Sequence, residues 1–102
     1  MRVISDAKLG TIAAPERIMA AVCSGFIANA AGNLRPVLSS HLACNIGNRR
    51  AGDCHVKWGH LEQAEMFAVK VATGFCDKPG PGLPSGNGLM PLLPARTGAP
   101  LA

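Results

Sequence analysis

A chain of 102 residues has room for one domain, and this one carries a formal net charge of +4 spread over ten scattered cations. Only Arg49 and Arg50 adjoin, and no aromatic residues interleave with the cations, so a nucleic-acid surface is not expected. With 48% hydrophobic and 16% charged residues the composition argues against disorder. Met1–Gly10 (MRVISDAKLG) has no apolar signal region, and the longest apolar run, Ile18–Ala31, is too short to span a bilayer. The expectation is a soluble cytoplasmic protein with no membrane partner, its four cysteines reduced.

In chain order, Met1–Ile4 is a short apolar run ended by Ser5-Asp6, a helix-start signal. Pro15-Glu16-Arg17 opens a second helix, since proline suits a first turn and Glu16 suits the positive end of the dipole. Ile18, Val22 and Phe26, flanked by Met19, Cys23 and Ile27, make an apolar stripe expected to face a core, and Gly32-Asn33 stops the helix.

The pattern then changes to strands. Pro36–Leu42 reads as an edge strand because of its proline, Asn45–Asp53 (NIGNRRAGD) as a polar loop, and Cys54–His60 as the next strand. Met66–Phe75, rich in Val and Phe, is the strongest strand signal. Cys76–Gly88 is a Pro/Gly turn region, Leu89–Leu93 a fourth strand, and Thr97-Gly98 a turn leading into Ala99–Ala102. The fold class is α+β: N-terminal helices followed by a mostly antiparallel sheet.

Four segments carry a family resemblance: MRVIS at Met1–Ser5, CHVKWGHL at Cys54–Leu61, FAVKVATGF at Phe67–Phe75, and GLPSGNGLMPLLPARTGAPLA at Gly82–Ala102. In order and spacing they resemble the opening third of ornithine cyclodeaminase/mu-crystallin family proteins, closest to the branch linked with ectoine utilisation. Asn33–Asp53 matches poorly. The resemblance implies that residues 1–102 are part of a substrate-binding and dimerisation domain, with the C-terminal NAD-binding Rossmann domain missing. It implies NAD-dependent amino-acid deamination with cyclisation, or imine reduction, in a homodimeric intact enzyme that acts on a small amino-acid-like substrate. No cofactor and no turnover are expected of this chain alone, because the chain has no G-x-G-x-x-G between a strand and a helix. A non-catalytic dimerisation or binding module, or a gene remnant, is the alternative.

The resemblance also implies roles for single residues. Lys70 falls where the family pairs a lysine with the substrate carboxylate, a task suited to a fixed cation. Lys57 stands where ornithine-specific members hold a glutamate, which points away from ornithine and toward a substrate with another acidic or polar end. Ser85 falls where a small hydroxyl residue lies near the cofactor phosphates, although a turn serine can equally cap its own backbone. A family arginine upstream of Lys57 has three candidates here, Arg35, Arg49 and Arg50. No catalytic residue is assigned. Pro91 and Pro94 interrupt the last family strand, Pro94 in place of an acidic residue, and Lys78 replaces an asparagine. Cys44, Cys54, His55, His60 and Cys76 come from three separate segments without a paired C-x-x-C, so neither a metal site nor a Cys-His nucleophile is expected of them.

Overall fold

The structure is a computed structural model and describes residues 1–35, 38–76 and 80–102. Helix α1 (Asp6–Ile12) begins where Ser5 accepts a hydrogen bond from the Lys8 amide at 3.3 Å, satisfying one donor of the first turn. Helix α2 (Pro15–Ala30) has its proline in the first turn. It ends when Gly32 takes φ 77°, so that the Asn33 and Gly32 amides donate back to the Ala28 and Asn29 carbonyls at 2.9 and 3.1 Å.

Strands β1 (Ser39–Ile46), β2 (Arg49–His60), β3 (Met66–Gly74), β4 (Gly86–Leu89) and β5 (Leu92–Pro94) form one antiparallel sheet. Its order is β1-β2-β3-β4, and β5 pairs with β3 beyond the end of β4. The architecture is therefore α+β, two helices followed by an antiparallel sheet.

The segment expected to be a loop, Asn45–Asp53, is a hairpin. Its turn is the pair Gly47-Asn48, and Gly47 at φ 59° takes the first central position of a two-residue turn that demands a left-handed backbone. Polar residues on both sides hid these strands, because exposed ends leave no apolar alternation to read. The edge strand expected from residue 36 begins at Ser39; Pro36 and Val37 lie outside the described residues, as do Lys78 and its neighbours in the turn region. The single fourth strand expected over Leu89–Leu93 is two, β4 and β5, parted at Met90-Pro91. Pro91 has no amide to give the ladder, but its carbonyl accepts from Val69 at 3.1 Å, so both pieces stay against β3. Near the chain ends, the Leu101 amide donates to the Leu92 carbonyl at 3.0 Å, the Leu92 amide donates to the Ala102 carbonyl at 2.6 Å, and the Arg2 amide donates to the Leu101 carbonyl at 2.8 Å.

The apolar stripe of α2 does not meet a core. Phe26 and Ile27 are 72% and 70% exposed, and among the described residues neither helix packs on the sheet. No described residue is fully buried. Half-buried residues concentrate in the sheet, and most of all along β3, where eight of nine residues are half-buried.

Close approach dictates one residue type on β2. A Cβ on Gly52 would overlap the Gly74 carbonyl oxygen and the Phe75 ring, whereas one on Gly86 would meet ordinary contact at 3.7 Å. Gly52→Ala is expected to cost about 1–3 kcal/mol, as overpacking does, and to lower the melting temperature, while Gly86→Ala leaves it nearly unchanged. Paired thermal melts by circular dichroism check this.

Candidate functional site

Alternation along the strands sorts the sheet into two unlike faces. The ladder pairs Lys57 with Lys70, His55 with Ala72, Asp53 with Gly74 and Gly59 with Ala68, and on the β1 side His41 with His55 and Ser39 with Lys57. That face is polar, with small residues between its charges. The other face carries Leu42, Cys54, Val56, Trp58, Phe67, Val69, Val71 and Leu89. It is apolar.

Lys57 and Lys70 stand directly opposite each other, so their Cβ atoms are about 5 Å apart. Both are exposed, and among the described residues neither has an ion-pair partner. Like charges directly opposite on a sheet destabilise it unless an anion lies between them. The two lysines line an open groove of about 370 Å³ together with Gly59, Ala68, Met90 and Leu92. The groove is thus apolar, with two cations in its wall.

Ser85 is not in this groove. It lines a second one of about 440 Å³ with Arg50, Asp53, Phe75 and Gly86, at the other end of β3, where its carbonyl accepts from the Phe75 amide at 2.7 Å. None of the three candidate arginines lines the lysine groove. Arg35 is ion-paired to Glu62 across the short pairing of residues 33–35 with 60–62, Arg49 lies at the start of β2, and Arg50 serves a cluster described next.

A register shift between Cys44 and Asn45 leaves Ala51 without an opposite partner, and this bulge brings Arg50 onto the polar face. There its terminal nitrogen lies 3.1 Å from Asp53 Oδ2 and 3.2 Å from His41 Nε2. Asp53 Oδ2 is also 3.4 Å from His41 Nε2 and 3.7 Å from His55 Nε2. The two imidazoles are 4.6 Å apart between centroids, tilted by 43°. The hydrogen bond from His41 holds the Asp53 carboxyl below its ordinary range, against a smaller opposing effect of desolvation, and the charges of His55 and Arg50 add to it.

This cluster was missed in the sequence. Its members lie on two strands, Arg50 and Asp53 inside the segment read as a loop, and only the hairpin register brings His41 to His55. The cysteines do not join it: Cys44 and Cys54 point to the apolar face, while His60 Nε2 lies 3.1 Å from the Ala64 carbonyl oxygen. A lowered folded-state pKa means that Asp53 stabilises the fold above the ordinary carboxylate range, and that this contribution is lost as the pH falls through the lowered value. Asp53→Asn is therefore expected to melt below the wild type at neutral pH and together with it in strong acid, as a pH series of thermal melts would show.

No protein-family model matches the chain, and no solved structure does. Among curated proteins, it is 32% identical over 101 residues to "Putative dehydrogenase RB0419" of Rhizobium meliloti (strain 1021), an alignment covering 96% of this chain and 29% of that protein. It is 45% identical over 47 residues to "Uncharacterized cyclodeaminase y4tK" of Sinorhizobium fredii (strain NBRC 101917 / NGR234), covering 46% of this chain and 14% of that protein. The chain therefore spans less than a third of the length of either relative. Among the described residues no single helix is long and apolar enough to cross a membrane.

Proposed function

We propose that this chain is the substrate-binding part of an ornithine cyclodeaminase-type enzyme, and that Lys57 and Lys70 together hold the carboxylate of a small amino-acid-like substrate. The observation that carries this reading is the direct cross-strand pairing of two unpartnered lysines in the wall of an apolar groove. Such a pair is costly when empty and favourable around an anion. The partial similarity to a cyclodeaminase-named and a dehydrogenase-named protein supports the same class. Lys57 stands where an ornithine site would hold a glutamate for the side-chain amine, so its charge disfavours ornithine.

The residues present do not fit a dinucleotide on their own. Ser85 offers one hydroxyl for a phosphate, but Asp53 places a carboxylate in the same groove, and no glycine fingerprint opens a helix after a strand. The NAD-dependent step of the proposed enzyme is accordingly assigned to a separate cofactor domain. What this chain contributes is a fixed pair of charges that orients a carboxylate and a wall of Met90, Leu92 and Ala68 that keeps water from its aliphatic part.

NMR titration with L-glutamate tests this. Amide shifts are expected to cluster around Lys57 and Lys70, and Lys57→Gln or Lys70→Gln should weaken binding about 10- to 100-fold, the worth of one charge-assisted hydrogen bond. Shifts elsewhere, or variants that bind equally well, would overturn the carboxylate role.

A second reading, a dimerisation module in the cytoplasm, is favoured by the uncovered apolar face and by the α2 stripe. Exposed Leu42, Leu89, Phe26 and Ile27 are the kind of surface that a second copy would cover. Sedimentation velocity is expected to show a homodimer that Leu42→Lys or Phe26→Lys disperses, with Lys57→Gln leaving it intact. A monomer at high concentration would count against it.

A further inference from the structure

We infer that His41, His55 and Asp53 form a binding site for a divalent transition-metal ion of the zinc type, with the Arg50 guanidinium seated against two of its three ligands. This site is independent of the lysine groove and of the function proposed for it. His41 and His55 are direct cross-strand partners, and Asp53 is the next residue of β2 on the same face, so the sheet fixes three ligand-bearing side chains side by side. Their ligand atoms all lie within 4.8 Å of one another. An ion that holds nitrogen and oxygen at about 2.0–2.1 Å in tetrahedral geometry spaces its ligand atoms by about 3.3 Å. The separations from Asp53 Oδ2 to the two Nε2 atoms, 3.4 and 3.7 Å, are already close to that spacing, and small rotations of exposed imidazoles close the rest.

Arg50 supplies the second observation. One of its nitrogens lies against both Asp53 Oδ2 and His41 Nε2, at 3.1 and 3.2 Å, so a cationic group is already seated against two of the three ligand atoms. The Arg50 side chain is 56% exposed and can leave without opening a core, and its departure frees the fourth position for water. Imidazole and carboxylate together suit zinc, cobalt and nickel better than calcium or magnesium. Lys57 and Arg49 also belong to β2; Lys57 stands next to His55 on this face, and its charge opposes the metal without occupying its place.

The test is calorimetric titration of the 102-residue chain with Zn²⁺, alongside Co²⁺ titration followed by visible absorption. One ion per chain is expected, with a rise in melting temperature on zinc addition. His41→Gln and His55→Gln should each weaken zinc binding at least about tenfold, Arg50→Ala should strengthen it, and Cys44→Ser/Cys54→Ser should leave it unchanged. Circular dichroism of each variant confirms that the sheet is retained, and Arg50→Ala, which shifts affinity the opposite way, separates loss of a ligand from loss of fold. Failure to bind at millimolar zinc, wild-type affinity in either histidine variant, or loss in the cysteine variant would overturn the site.

Discussion

The lysine groove hangs on the antiparallel pairing of β2 with β3, and the histidine cluster hangs on β2 through its pairing with β1. From Asp53 opposite Gly74 to His60 opposite Phe67 the register runs without a break, and it fixes which side of the sheet every residue occupies. Because side chains alternate with period two, a slip of one residue would carry Lys57, His55 and Asp53 to the apolar side and bring Val56 and Trp58 to the polar one. The ladder also sets distance: two lysines far apart in sequence become neighbours at one rung. β1 depends on β2 in turn, and β4 and β5 on β3, so the two central strands carry the rest.

The polar face breaks rules that a sheet built for stability alone would keep. Like charges oppose each other, and a carboxylate, two imidazoles and a guanidinium crowd one end of the β1–β2 hairpin. Between them lie Gly59, Ala68, Ala72, Gly74 and Gly88, which leave the backbone close to the surface and give a ligand room to approach. Local conflicts of this kind concentrate where a protein does something other than fold. The opposite face breaks a different rule, since Leu42 and Leu89 remain more than half exposed with neither helix upon them.

Much of the frame was legible in the residues. Ser5-Asp6 and Pro15 mark the two helix starts and Gly32-Asn33 marks the stop, because capping and left-handed turns demand particular side chains. The strand signal over Met66–Phe75 announced itself through β-branched and aromatic residues, and β3 fills Met66–Gly74 of it. The inner parts of β1 and β2 were expected as strands, over Pro36–Leu42 and Cys54–His60, but the outer part of their hairpin was not legible, because it lacks apolar alternation and the Gly47-Asn48 signal was submerged in polar residues. The α2 stripe has the right period, but period alone says that a face is apolar and not that anything covers it. Lys57 and Lys70 were singled out one at a time; their pairing is a matter of register, and so is the meeting of His41 with Asp53 and His55. Spacing along a chain does not disclose which rung a residue shares.

The bulge at Ala51 can be viewed as a question of odd and even. In an unbroken strand Arg50 would share its side with Gly52 and Cys54; the extra residue shifts the count by one and moves Arg50 across to Asp53. A single codon therefore sets the parity of the hairpin's outer end without altering any of the side chains involved. Losing or gaining one residue at that point would exchange what the outer end of the hairpin offers to each side of the sheet, so the length of this strand carries chemical information that its composition does not.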